Sequence, residues 1–338
     1  MKPGKIVVFG TSFLDELPTD PPGKGEADAI LSTLKADSGG ALEVEYRTER
    51  DPADPLTPEE LSGARAVIAD LERYDGELLM AVGPRGGGEL ELIARYGVGY
   101  DSIDLDAATE AGVLVANAPG ANTLPTAEWS VSTLLDIAGR RLDHHRRAAA
   151  GRAKEGPSRL DVCGRTLGLL GTGSVGRWVV ELMRGFEMRI LAHDPYPREE
   201  WAREKGVAYV DLVTLLKESD FVSLHAASNK QLIGPEQLSL MKKNAVLVNC
   251  ARGVLVDNPA AYRAVAEGRL FGYGLDEVWR YPELPLEGLN IAVSPHVGSD
   301  TDLGKANMQR FSAQAVLEYF SGNLPTNTLN PSAYRRQA

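Results

Sequence analysis

Cysteine is scarce. The 338-residue chain has two, Cys163 and Cys250, far apart and in neither a CxxC pair nor a Cys/His cluster of zinc spacing. A disulfide framework is excluded, and no metal is expected at the functional site. Positive charge is short as well: 36 Lys and Arg stand against 47 Asp and Glu, a net charge of −11 with no long basic block. A phosphate backbone or an anionic membrane is mostly repelled by such a chain, so neither nucleic acid nor membrane is an expected partner. Hydrophobic residues at 43% and charged residues at 25% stand near the globular average, which excludes wholesale disorder and a membrane protein. The first apolar run, Ile6–Phe9, is too short for the core of a signal peptide and has no cleavage pattern after it. It reads as the first strand of a cytoplasmic protein.

Glycine is in excess. The 35 glycines cluster at 83–88, 97–99, 171–176 and 272–274 without a repeat period, a sign of backbone that turns sharply or approaches a ligand closely. At roughly 150 residues per domain the length predicts two domains.

Short apolar runs alternate with amphipathic stretches along most of the chain. In the first third, Ile6–Phe9, Leu42–Tyr46, Ala66–Ala69, Leu90–Ala94 and Val113–Ala116 read as strands, with helices at 26–36 and 73–82. Three prolines between Pro52 and Pro58 mark a loop before a helix expected to start near Thr57. A long helical pattern from Leu124 to about Arg141 leads to a second unit with strands at Thr166–Leu170, Met188–Ala192, Phe221–Leu224, Ala245–Val248, Leu270–Gly274 and Ile291–Val293. This alternation predicts an α/β protein of two doubly wound parallel sheets. The amphipathic stretch Leu303–Phe320 follows the last strand and is expected to return to the first unit, giving 1–118 with 299–338 as one domain and 119–298 as the other.

The strand Thr166–Leu170 runs into Gly171-Thr172-Gly173-Ser174-Val175-Gly176, followed by a helical run through Met183. A GxGxxG alone is weak, but here it has a strand before it, a helix after it, and Asp194 at the end of the next strand, eighteen residues past Gly176. Gly171 permits the tight turn, Gly173 lets backbone amides approach a pyrophosphate, and Gly176 permits close packing at a helix N-terminus whose dipole favours an anion. Asp194 accepts hydrogen bonds from ribose hydroxyls and repels a 2′-phosphate, so NAD is the expected cofactor.

Two later strands end in reactive side chains. Val246–Val248 leads through Asn249, Cys250 and Ala251 to Arg252-Gly253, and Ile291–Val293 leads through Ser294-Pro295 to His296-Val297-Gly298. Open α/β sheets bind ligands at this end of their strands. An arginine clamps a carboxylate with two parallel hydrogen bonds, and a histidine moves a proton near neutral pH. With a nicotinamide they make a site for a 2-hydroxy or 2-oxo acid.

The chain from about Glu89 to Pro331 resembles the D-isomer-specific 2-hydroxyacid dehydrogenases. The residues that carry the likeness are Tyr96-Gly97-Val98-Gly99-Tyr100-Asp101-Ser102-Ile103-Asp104, Asn117–Thr123 through Glu128, Met241–Gly253, Leu275-Asp276 and Ser294-Pro295-His296. The resemblance implies a Rossmann NAD-binding domain inserted in a flavodoxin-like substrate domain. It implies that Arg252 binds the substrate carboxylate and carbonyl, and that His296 donates the proton as hydride arrives from NADH. It also implies that Asp276 holds the nicotinamide carboxamide and that the backbone of Val98 and Gly99 receives the carboxylate. His225, Cys250, Ala251 and Gly298 would line the cofactor, and relatives pair through their nucleotide domains, so a homodimer is expected.

Three positions depart from the family pattern or extend it. Tyr281 stands where the family has the glutamate that orients the catalytic histidine; a phenol fixes a tautomer but brings no charge to stabilise an imidazolium. Glu277 or Glu283 would substitute only with a reshaped loop. The stretch His225–Ile233 is shorter than in relatives. Arg73, in the first domain, is placed to meet an anionic substrate group or to lie on the surface. The alternatives to a dehydrogenase are a non-redox NAD-sensing protein, as in the family's corepressor branch, and an NAD-assisted reaction on a related acid.

Overall fold

The computed structural model describes residues 3–10, 13–14, 17, 19–152, 156–277 and 288–334. In chain order the first elements are β1 (Gly4–Val8), α1 (Glu26–Asp37), β2 (Leu42–Tyr46), β3 (Ala64–Ala69), α2 (Gly76–Val82), β4 (Leu92–Arg95), α3 (Leu105–Ala111) and β5 (Leu114–Ala116). A second series follows: α4 (Thr123–Gly139), α5 (Arg141–Ala149), β6 (Thr166–Leu170), α6 (Ser174–Met183), β7 (Arg189–His193), α7 (Glu199–Lys205), β8 (Val207–Tyr209), α8 (Leu212–Glu218), β9 (Phe221–Leu224) and α9 (Pro235–Leu240). It ends with β10 (Val246–Asn249), α10 (Asn258–Ala266), β11 (Gly272–Leu275) and β12 (Ile291–Val293), and α11 (Asp302–Phe320) comes last. Two compact units result: Met1–Asn122 with Asp300–Ala338, and Thr123–Ser299.

In the first unit the sheet runs β2-β1-β3-β4-β5, every pair parallel. This is the flavodoxin-like order. Strands β3, β4 and β5 are buried at every position because both faces are covered, Arg65 of β3 included, whereas edge strand β2, Leu-Glu-Val-Glu-Tyr, buries only Leu42. Ile6, Val8 and Ile68 pack with residues of α1 and α11 on one face; Val7, Val67 and Ile93 pack with α2 and α3 on the other. Helix α11 packs within the core of the first unit.

The second unit has seven parallel strands in the order β12-β11-β10-β9-β6-β7-β8, a Rossmann sheet whose order reverses between β6 and β9. Helices α4 and α6 cover one face, and α8 and α10 cover the other. Helix α5 buries none of its residues. No helix among the described residues is long and apolar enough to cross a membrane.

The helix expected near Thr57 is not there. Residues 58–63 form turns instead. The capping signal is present, with Glu60 Oε2 accepting the Thr57 amide at 2.8 Å. However, Gly63 takes φ 74° and β3 begins at Ala64, so the chain has room for little more than one turn. The sequence reading also missed β8, whose three residues carry too little periodicity to register.

Candidate active site

Strand β11 lies between β10 and β12, and two consecutive acids follow it. Asp276 is 8% exposed and Glu277 2%. Buried carboxylates require partners, and these two find them in the loops on either side.

Asp276 fixes the loop after β12. Its Oδ1 accepts the Ser294 hydroxyl at 2.5 Å and the Val297 amide at 2.9 Å, and its Oδ2 accepts the Gly298 amide at 2.7 Å. The Trp129 indole of α4 donates to Ser294 Oγ at 3.2 Å. A Cβ at position 298 would stand 2.8 Å from Asp276 Oδ2, so only glycine admits this approach. Within the loop His296 adopts φ 61°, a left-handed conformation that a non-glycine residue keeps only where its surroundings impose it. The bonds to Asp276 on both sides of His296 impose it here.

Glu277 fixes the loop after β10, accepting the Gly253 amide on Oε2. The Gly253 carbonyl accepts Asn258 Nδ2 at 3.0 Å, and Asn258 Oδ1 in turn accepts the Tyr273 hydroxyl at 2.6 Å. Asn249, the last residue of β10, donates to the Arg252 carbonyl at 2.8 Å and accepts the Ala251 amide at 3.2 Å. Arg252, half-buried, thus projects from a turn held on both sides. Cys250 is buried, with its thiol on Ser130 and Thr133 of α4; burial pushes it up to about 12, so it stays protonated. That side chain belongs to the core, and any cofactor contact from this position is through backbone.

The glycine turn sits where the sheet order reverses. Gly171 takes φ 99°, and a Cβ there would meet the His225 carbonyl group at 2.7 Å. A Cβ at Gly176 would stand 2.3 Å from Gly171 O, whereas one at Gly173 would meet nothing within 4 Å. The turn is closed toward the protein and open at Gly173, where α6 begins without a side-chain cap. The amides of Ser174 and Val175 have no partner among the described residues, and such a helix start binds a pyrophosphate. Asp194 Oδ2 accepts the Thr172 amide at 2.6 Å and the Thr172 hydroxyl at 2.9 Å; Oδ1 accepts the Tyr196 amide at 2.8 Å. Burial opposes its ionisation, but these hydrogen bonds outweigh it and hold the carboxyl below the ordinary carboxylate range. One acceptor position on Oδ1 is left for a ribose hydroxyl. The chain's residues therefore fit NAD. Behind the turn, burial pushes His225 down to about 4, and its Nε2 lies 2.9 Å from Ser223 Oγ. An imidazole with that pKa is neutral near pH 7 and is not placed to donate a proton there.

In the first unit, the loop after β4 has its carbonyls bound to the protein. Val98 O accepts Asn117 Nδ2 at 2.8 Å, Gly99 O accepts Arg95 Nε at 2.7 Å, and Tyr96 O accepts Arg95 Nη1. The Val98 and Gly99 amides have no partner among the described residues, an arrangement suited to a carboxylate. Arg73 is exposed, with no ion pair among the described residues. Tyr281 and Glu283 lie outside the described residues. No group of metal-ligating side chains occurs among the described residues.

Sequence reasoning named Glu277 only as a substitute for the histidine-orienting glutamate and missed that it binds the Gly253 amide; it also missed the supports Asn249, Asn258 and Arg95. The one local signal for Glu277 was an acid following Asp276 directly at a strand end, where alternation would place one of the two on each flank.

Comparison with known proteins gives one answer. Residues 131–298 match the family described as D-isomer specific 2-hydroxyacid dehydrogenase, NAD binding domain. A glyoxylate reductase of Korarchaeum cryptofilum is 36% identical over 298 residues, covering 84% of this chain and 88% of the relative. A D-3-phosphoglycerate dehydrogenase of Methanocaldococcus jannaschii is 37% identical over 252 residues, 72% of this chain but 48% of that longer protein. The crystal structure of the TT0316 protein from Thermus thermophilus superposes with a TM-score of 0.77 at 31% identity, covering 96% of this chain and 99% of that one. The chain belongs to the D-isomer-specific 2-hydroxyacid dehydrogenase family and is an NAD-dependent oxidoreductase.

Proposed function

We propose that the protein reduces a short 2-oxo acid of the glyoxylate class to the D-2-hydroxy acid, and runs the reverse reaction when NAD and hydroxy acid are supplied. The observation that carries this reading is the acid pair after β11: Asp276 anchors the His296 loop and Glu277 anchors the Arg252 turn. A packing role alone does not account for two buried carboxylates spent on two ligand-facing loops. The size class rests on relatives matched over most of their length, which are glyoxylate reductases.

When bound, NADH supplies a hydride to C2 of the acid. Arg252 clamps the carboxylate and polarises the carbonyl oxygen, and the Val98 and Gly99 amides receive the carboxylate. His296 donates a proton to the developing alkoxide and takes it back in the oxidative direction. Gly171–Gly176 hold the pyrophosphate, with Thr172, Ser174 and Val175 between the glycines, and Asp194 holds the ribose. Ala251, Cys250 and Gly298 contribute backbone to the cofactor pocket, His225 backs it, and the remaining acceptor position on Asp276 Oδ2 takes the nicotinamide carboxamide. Residues 1–118 with 299–338 act as the substrate domain.

The test is loss of NADH absorbance with glyoxylate, hydroxypyruvate, pyruvate and phosphorylated 2-oxo acids. Turnover is expected with at least one short acid, and with NADPH it is expected to be about tenfold less efficient or worse, since Asp194 faces the 2′-phosphate. NADH binding without turnover of any acid would contradict the reading and favour the NAD-sensing alternative.

A homodimer in the cytoplasm completes the proposal. Helix α5 buries none of its residues, and Leu142, Trp178 and Leu182 of the second unit are exposed, apolar surface that pairing would cover. Light scattering is expected to give about twice the chain mass; a mass near 36.4 kDa would refute the dimer.

A further inference from the structure

The first unit contains a cluster of charges that the reaction above does not use. It follows β3, beside the point where the order β2-β1-β3-β4-β5 reverses. Glu72 is fully buried. Its Oε2 accepts the Asp70 amide at 2.8 Å, and its Oε1 meets no donor among the described residues. Tyr74 is equally buried, with its hydroxyl also lacking a partner there. The Tyr74 backbone is tied to the substrate loop: its amide donates to Ser102 O at 2.8 Å and its carbonyl accepts the Asp104 amide at 2.9 Å. From β4, the buried Arg95 stands 3.7 Å from the Asp70 carboxylate while it donates to the carbonyls of Tyr96 and Gly99.

Among the described residues, ionisation of both carboxyls beside the Arg95 guanidinium puts negative charge in excess in this buried space, which opposes it. Arg50, whose field also reaches Tyr74, is paired with Glu60 at 2.9 Å and does not supply the missing charge. Burial first, and the Asp70 carboxylate second, push Glu72 up to about 7, against the weaker opposing pull of the Asp70 amide and Arg95. Glu72 therefore gains its negative charge as pH rises through neutrality.

We propose that Glu72 is a positioning residue that sets the substrate loop through Arg95. While Glu72 carries its proton, Arg95 is left to hold the carbonyls of Tyr96 and Gly99, and the Val98 and Gly99 amides are presented to the oxo acid. When Glu72 ionises, the doubled negative charge draws Arg95 off those carbonyls, and the loop binds the acid less well. This inference rests on the proposal that these amides receive the substrate carboxylate, so its test has two separable arms.

The first arm uses no substrate. Full-length protein with NAD bound and 15N-labelled at valine and glycine is followed by NMR as pH is raised, in wild type and in Glu72→Gln. The glutamine keeps an acceptor for the Asp70 amide and never ionises. The Val98 and Gly99 amide signals are expected to titrate together within about one unit of pH 7 in wild type and to stay flat in the variant. Signals that do not move in wild type, or that move equally in both, overturn the proposal; should Glu72→Gln not fold, Glu72→Ala takes its place in the comparison. The second arm measures KM for glyoxylate. Between about pH 6 and about pH 8.5, KM is expected to rise about threefold or more further in wild type than in Glu72→Gln, with the kcat profiles superposed. If the amides titrate as expected but the KM profiles coincide, the link from Glu72 to the loop is upheld and the carboxylate role of the loop is what falls.

Discussion

Replacing His296 by asparagine is expected to lower kcat for 2-oxo acid reduction by a factor of about 10²–10⁴, the range a positioned proton donor supplies. Asparagine is the informative choice because His296 sits at φ 61°, and asparagine is among the few residues that tolerate that region. His296→Ala would mix loss of the proton donor with backbone strain. The residues proposed to hold the adenosine half of the cofactor, Gly171–Gly176 and Asp194, lie on the other side of the order reversal in the sheet. NADH affinity, measured by fluorescence titration, should therefore hardly change. A kcat within about threefold of wild type would remove His296 from proton transfer.

Asp276→Asn carries the next largest effect, and it tests the scaffold of the His296 loop together with the proposed contact to the nicotinamide carboxamide. The carboxylate takes three donors: Ser294 Oγ and Val297 N on one oxygen, Gly298 N on the other. An asparagine oxygen can keep two of them, but its NH₂ then faces the Gly298 amide, donor against donor. Such a mismatch costs about 1–3 kcal/mol, and a loop released by that amount lets His296 leave its left-handed conformation. The expected result is a fall of about 10- to 100-fold in kcat/KM. Gly298→Ala is the matching control, because a Cβ 2.8 Å from Asp276 Oδ2 disturbs the same contact without altering charge. It should reproduce the kinetic defect. Full activity in both variants would show that the His296 loop holds itself.

The candidate site was legible in the sequence where its motifs are local. Strand, GxGxxG, helix, strand and Asp194 follow one another within thirty residues, and each imposes its own backbone requirement. The ends of β10 and β12 carried Arg252 and His296 in plain view. What escaped was everything whose meaning depends on a partner far along the chain. Glu277 acts on Gly253, 24 residues earlier, and nothing in the order Leu-Asp-Glu-Val says that both acids are buried. Nothing local in Asp70-Leu71-Glu72-Arg73-Tyr74 marks Glu72 and Tyr74 as fully buried and Arg73 as exposed. The expected helix near Thr57 failed because a good capping signal cannot extend past Gly63 into a strand that starts one residue later. The glycines at 83–88, which had no functional account, have a packing one. A Cβ at Gly86 or Gly88 would fall 1.7 or 2.0 Å from the carbonyls of Met80 and Val82, so this turn is folded against the end of α2.

The central claim is that this chain moves a hydride to C2 of a short 2-oxo acid, with His296 completing the protonation. It is tested most directly by supplying NADH labelled with deuterium at the transferable C4 position, together with glyoxylate, hydroxypyruvate or pyruvate, and analysing the product by mass spectrometry. The account predicts one deuterium at C2 of the 2-hydroxy acid from wild type, the D configuration where C2 is chiral, and loss of nearly all labelled product in His296→Asn. Labelled cofactor bound by the protein, with no deuterium in a 2-hydroxy acid from any of the three, would contradict it.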